Sequence, residues 1–183
     1  MTALASRALA ASAVAAAVAA LSLPCGAAAL EPRFDHRDQQ GVLLAVEGWR
    51  ETVAVSGRPT MAEFKPRLWV GWSTDLSGEG DELIVGGSFR LGSWSDPSGL
   101  RFLTGVNARY RGYFGTEELK TFFEVGLWSE LRNRVAVGPE VGLGMAYDPS
   151  RAWGAFISAH FGTAFGDARI ASLGASAGVQ LRF

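Results

Sequence analysis

Ser172-Leu173-Gly174-Ala175-Ser176-Ala177-Gly178-Val179-Gln180-Leu181-Arg182-Phe183 closes the sequence with a strict alternation of side-chain types. Leu173, Val179, Leu181 and Phe183 share one parity, whereas Ser172, Gly174, Ser176, Gly178, Gln180 and Arg182 share the other. Successive side chains of a β-strand point to opposite faces, so period-2 alternation predicts a strand with one apolar and one polar, glycine-bearing face.

The same alternation runs back to Val42, interrupted by turn residues such as Ser77-Gly78-Glu79-Gly80-Asp81, Asp96-Pro97-Ser98-Gly99, Gly115-Thr116, Arg132-Asn133, Asp148-Pro149-Ser150 and Gly166-Asp167. Eight strands are predicted, at about 41–53, 65–75, 82–94, 100–114, 119–131, 134–147, 152–165 and 170–183. The fold class is all-β, an eight-stranded antiparallel up-and-down barrel with hairpin connections. In the fourth strand Leu100, Phe102, Thr104, Val106 and Tyr110 oppose Arg101, Gly105, Asn107, Arg109 and Arg111. In the sixth, Val137, Val141, Leu143 and Met145 oppose Arg134, Gly138, Glu140, Gly142 and Gly144. Pro139 cannot donate to a ladder, so a bulge or a lost bond is expected there.

Alternation does not say which face is inside. Glycine favours the polar face as the inner one, because it relieves crowding in a narrow eight-stranded lumen but weakens a solvated strand. The apolar-face aromatics also sort by depth. Trp72, Tyr110, Phe123, Tyr147, Trp153 and Phe183 fall near the rim that carries the termini, and Phe89, Phe102 and Phe165 near the other, as two girdles flanking a membrane's apolar band would. With these alternating residues behind it, the final Phe183 resembles the C-terminal signal of bacterial outer-membrane proteins, and the plan is similar to the small OmpA/OmpX-like barrels. The resemblance implies a transmembrane barrel in the cell outer membrane, with its termini and short turns in the periplasm. It also implies contact with outer-membrane lipid and recognition of the segment ending in Phe183 by the barrel-assembly machinery.

The other end agrees. Arg7, the alanine-rich stretch Ala8–Leu23 and Ala27-Ala28-Ala29 form the pattern of a cleaved signal peptide, residues 1–29. Ser22-Leu23-Pro24 ahead of Cys25 lacks the small residue that lipoprotein processing needs, so lipid attachment is not expected. Residues 30–40 read as a charged periplasmic lead-in and 41–183 as the barrel. From Leu30 onward the chain carries no cysteine, and 16 basic residues stand against 18 acidic, which argues against nucleic-acid binding. Arginine outnumbers lysine 15 to 2. A planar fork able to bridge two carboxylates suits a charged lumen.

Glu47, Arg67, Glu82, Arg90, Arg101, Arg109, Arg111, Glu124, Glu130, Arg134 and Glu140 are the expected members of that lumen charge network. Turn lengths predict Arg109 opposite Glu124, Glu82 opposite Arg111 and Glu130 near Arg134. Ser158 and His160 share a face, and pairing across Asp148-Pro149-Ser150 brings Glu140 beside one of them. Nucleophile, base and orienter are thus together in composition. Lipid A deacylases of the outer membrane carry such a set as His-x-Ser facing lipid, but Ser158-Ala159-His160 has the reverse order, Gly162 stands where the serine belongs, and the set faces the lumen. A hydrogen-bonded filler role is expected instead. His36 and His160 are the only histidines, and no phosphate-cradling Gly-rich motif occurs, so neither a metal nor a cofactor is expected.

The leading expectation for function is a structural, envelope-integrity role with a charge-plugged lumen. The alternatives are a narrow solute channel, a lipid A-modifying hydrolase using Ser158, His160 and Glu140, and a soluble periplasmic lipocalin-like carrier with its faces swapped. Ala54–Phe64 is expected to be the longest outer loop, too short to favour an adhesin.

Overall fold

A computed structural model of the chain describes residues 39–56, 59–76, 80–91, 103–115, 118–131 and 135–183. The leader at 1–29 and most of the lead-in lie outside these residues. Eight strands follow in order: β1 Gln40–Ala54, β2 Met61–Asp75, β3 Glu82–Arg90, β4 Leu103–Phe114, β5 Leu119–Glu130, β6 Ala136–Tyr147, β7 Trp153–Gly166 and β8 Arg169–Arg182. Each pairs antiparallel with its sequence neighbours, and β8 returns to β1 to close the barrel. Closure is extensive, running from Gly41 opposite Arg182 to Ala54 opposite Arg169. Gln40 and Phe183 then exchange backbone hydrogen bonds of 3.1 and 3.0 Å. No strand is left as an exposed edge along this seam, so the backbone is satisfied without water.

Three boundaries differ from the sequence reading. β2 begins at Met61 rather than 65, because its ladder to β1 continues to Val53 opposite Met61. The β1–β2 connection therefore spans only 55–60, not the expected Ala54–Phe64. β3 stops at Arg90 and β4 starts at Leu103, so the widest interval between successive strands is 91–102. A register shift falls between Ser88 and Phe89: Ser88 faces Gly105, whereas Phe89 faces Leu103. Thr104 is the extra residue, and its hydroxyl donates to the Ser88 carbonyl at 3.0 Å. The alternation expected to run unbroken from Leu100 to Tyr110 thus slips by one at this bulge.

Pro139 has the second of its two expected effects. Between β6 and β7 the pairing passes from Val137–Phe165 to Glu140–Gly162 with Gly138 and Pro139 skipped and the register unchanged. Ladder contact is lost locally, without a bulge. Gly138 faces inward here, and a methyl group on it would overlap the Thr163 carbonyl and crowd Ala164. At the end of the barrel that carries Gln40 and Phe183, Gly80 (φ 96°) and Gly115 (φ 95°) adopt the left-handed conformation that the β2–β3 and β4–β5 turns require.

Gly138→Ala is expected to destabilise the barrel by about 1–3 kcal/mol through overpacking. The outward-facing control Ala175→Val should stay within about 0.5 kcal/mol. Urea unfolding in lipid vesicles measures both, and equal losses would contradict this packing.

Candidate functional site

The barrel is apolar outside and polar inside. Leu143 (69% exposed), Leu173 (61%), Phe165 (58%) and Val125 (50%) look outward, while Glu47, Glu82, Glu124, Glu140, Arg109 and Arg111 are buried. Strand parity causes this, since the strands send most of their glycines, serines and charges to one side and most of their branched and aromatic residues to the other. A lipocalin-like carrier needs the opposite arrangement, and the burial overturns that alternative.

The lumen is filled in layers. At the terminus end, Asp148 accepts from Arg182 at 2.8 Å and pairs with Lys120 at 3.0 Å. Gln180 donates to Glu82 (2.6 Å) and Ser73 (2.9 Å). An apolar layer of Leu43, Ala45, Trp69, Ile84, Phe122, Ala146 and Phe156 comes next. Arg111 passes through it with its guanidinium 4.3 Å from the Phe122 ring centroid and 4.9 Å from that of Phe156. Its Nε and Nη2 reach Glu124 at 2.8 and 2.6 Å, and its Nη1 lies 3.6 Å from Glu82. Cation–π contact on two rings and carboxylates at both ends compensate its desolvation.

Arg109 is the hub of the middle layer. Its Nε lies 2.8 Å from Glu140, and its two Nη atoms lie 3.6 Å from Glu124 and from Glu47. Above it Trp49 and Trp128 stack with centroids 6.3 Å apart and planes at 16°. Trp49 Nε1 donates to Glu47 at 3.0 Å. Both tryptophans lie on the otherwise polar face of their strands, where they fill the bore. Beyond them Arg67 binds Glu51 and Glu130, the latter at 2.9 Å, and Lys65 joins the same two carboxylates. Val53, Ala136, Ala164, Ala168 and Ile170 close the far end with Trp128. Between the tryptophan pair and Arg109 lies a cavity with room for about one water, bordered also by Arg67, Ser88, Asn107 and Glu140.

Ser158, His160 and Glu140 do meet. His160 Nε2 lies 2.7 Å from Ser158 Oγ, and its Nδ1 lies 3.1 Å from Glu140 and 3.4 Å from Glu124. This is the connectivity of nucleophile, base and orienter. Acyl transfer also needs space for a substrate and donors aimed at a developing oxyanion. Here Ser158 is buried, its hydroxyl is held by Ser176 at 2.6 Å, and Trp49 lies against the imidazole at 5.7 Å.

Among the residues singled out from sequence, Glu47, Arg67, Glu82, Arg109, Arg111, Glu124, Glu130 and Glu140 face one another in the lumen. Arg101, Arg134 and Phe102 lie outside the described residues, and Arg90 is placed only by its backbone, opposite Arg67. Glu82 stands opposite Arg111. Glu124 stands opposite Arg111 and not Arg109, which faces Gly126: the β4–β5 register is two residues from the expected one. Glu51, Lys65, Lys120, Asp148, His160 and Arg182 belong to the network without having been counted in it. Strand parity with Glu47, Arg67, Glu124 and Gln180 was the signal available for Glu51, Lys65, Lys120 and Arg182.

On the outer surface Trp72 and Phe183 are in edge contact at 5.5 Å, and Phe123 contacts Tyr110 and Phe114 at 5.7 and 5.5 Å. Tyr147 and Trp153, at the ends of β6 and β7, share that rim, while Phe89 and Phe165 occupy the opposite ends of β3 and β7.

No protein-family model matches the chain, and no curated protein does. Solved structures similar to it include Neisserial surface protein A (15% identity, 78% of this chain and 97% of that one, TM-score 0.45). The outer membrane protein OprG from Pseudomonas aeruginosa is another (9%, 82% and 99%, TM-score 0.49). The attachment invasion locus protein Ail of Yersinia pestis is a third (14%, 80% and 99%, TM-score 0.40).

Arg111→Met should cost about 3–5 kcal/mol, because Glu124 is left buried without its closest partner. Adding Glu124→Gln should recover part of that loss. A double-mutant cycle by urea unfolding checks both, and additive losses would contradict the coupling.

Proposed function

We propose that the chain is an integral β-barrel of the bacterial outer membrane whose lumen is a plug, and that its role is structural, in envelope integrity. The carrying observation is the filled bore. Among the described residues two apolar layers and a paired charge network occupy it in succession, and the cavity beside the Trp49–Trp128 stack has room for about one water. A solute would have to separate the Trp49–Trp128 stack and break the Arg109 and Arg67 ion pairs, so the channel reading lacks support. The buried state of Ser158 weighs in the same way against the hydrolase reading.

The outward band of Val, Leu, Ile, Phe and Met supports a lipid environment, and aromatic residues at both ends support anchoring at its two interfaces. On this reading the β2–β3, β4–β5 and β6–β7 connections face the periplasm together with Gln40 and Phe183. Phe183, exposed beside Trp72, is the handle offered to the assembly machinery.

Planar-bilayer recording of the purified barrel tests the role. The expected record is a silent membrane at either polarity and at low or high salt. Reproducible unitary steps, altered in size by Glu124→Gln, would overturn the plug and establish a channel. Lipid A from cells overproducing the protein should have an unchanged mass spectrum; a Ser158-dependent mass shift would establish the hydrolase.

A further inference from the structure

The outward face of the eight described strands carries two charged side chains, Arg50 on β1 and Arg169 on β8. Both are exposed, and neither has a hydrogen-bond or ion-pair partner among the described residues. They stand on adjacent strands: Arg169 pairs with Ala54, four residues beyond Arg50, and Arg50 pairs with Leu173. Thr52 and Ala171 pair midway between them, and both are small and exposed, so nothing bulky separates the two guanidinium groups. Along the strand the two positions are about 13 Å apart.

Their depth is informative. Val42, opposite Trp72 of the terminus-end girdle, lies eight residues before Arg50. With the tilt of a membrane strand, that spacing raises Arg50 roughly 20 Å above the girdle, near the top of an apolar band about 25 Å tall. Arg169 is higher still. An arginine at that depth lays its aliphatic stem on the apolar wall, here beside Leu173 and Phe64, and lifts its guanidinium into the headgroup layer. Two unpaired guanidinium groups of one sign there complement an anion, and their forks suit phosphate oxygens. Asp167, the acidic residue two positions before Arg169, is already engaged by the Val135 backbone N–H at 3.0 Å.

We infer that Arg50 and Arg169 form a binding site for the phosphate groups of an outer-leaflet glycolipid, holding the barrel at the β1–β8 seam. The inference rests on the outer-membrane reading. The test uses the full barrel in phosphatidylcholine vesicles, alone, with bisphosphorylated lipid A, or with lipid A stripped of its phosphates. Flotation reports insertion, and the temperature at which the unboiled band loses its native gel mobility reports stability. Native protein and R50Q/R169Q should float alike and melt alike in phosphatidylcholine. Bisphosphorylated lipid A should raise the melting temperature of the native protein and leave the double variant unmoved. Equal gains in both proteins, or an equal gain from the dephosphorylated lipid, would overturn the site while leaving the barrel in its membrane. Failure of the native protein to float would overturn the membrane reading, and the site with it.

Discussion

Closing eight strands into a ring leaves a bore just wide enough for side chains, and the rest of this molecule follows from that restriction. Whatever points inward is cut off from bulk water, so each charge needs partners within reach. Among the described residues, seven buried carboxylates meet five buried cations and the half-buried Lys65 inside the bore. Arg67, Arg109, Arg111 and Arg182 each lie within ion-pair reach of more than one acid, an arrangement that the planar fork suits. Glu124 is the clearest case, gripped by Arg111, approached by Arg109 and faced by His160. Glycine serves the same restriction from the other direction. Gly71 and Gly86 make a flat wall for the Trp69 indole, which then reaches Asn107 at 3.1 Å.

Among the described residues charge layers alternate with apolar ones along the bore. The apolar layer around Phe122 and Phe156 shields the Arg111–Glu124 pair, which strengthens it and raises the cost of breaking it. The Trp49–Trp128 stack does the same for Arg109 from the other side. On the proposed plug, stability and closure to solutes are one property, and a change that opened the bore would also loosen the barrel.

Much of this was legible in the sequence, because strand parity is a local property. The number of strands, the composition of each face and the lumen placement of Glu47, Glu82, Arg109, Arg111, Glu124 and Glu140 follow from counting by twos. Features set by neighbours were not legible. The extra residue at Thr104 shows only as one position in an otherwise regular alternation. The start of β2 is decided by β1, which holds it in register as far as Met61. Contacts across the bore depend on how far the strands are sheared past one another, which no single strand encodes. Hence Arg182 with Asp148, Arg67 with Glu51 and Glu130, and the meeting of Trp49 with Trp128 needed the closed structure.

On the outer-membrane reading this barrel turns its apolar face to lipid and keeps its charges within. Photolabelling the natively inserted protein with a lipid-diffusible carbene reagent, followed by residue-level mass spectrometry of β5, tests it without altering the sequence. Label is expected on Phe123, Val125 and Leu127 and none on Glu124, Gly126 and Trp128. Equal labelling of both parities, or label concentrated on Trp128 and its lumen neighbours, would contradict it.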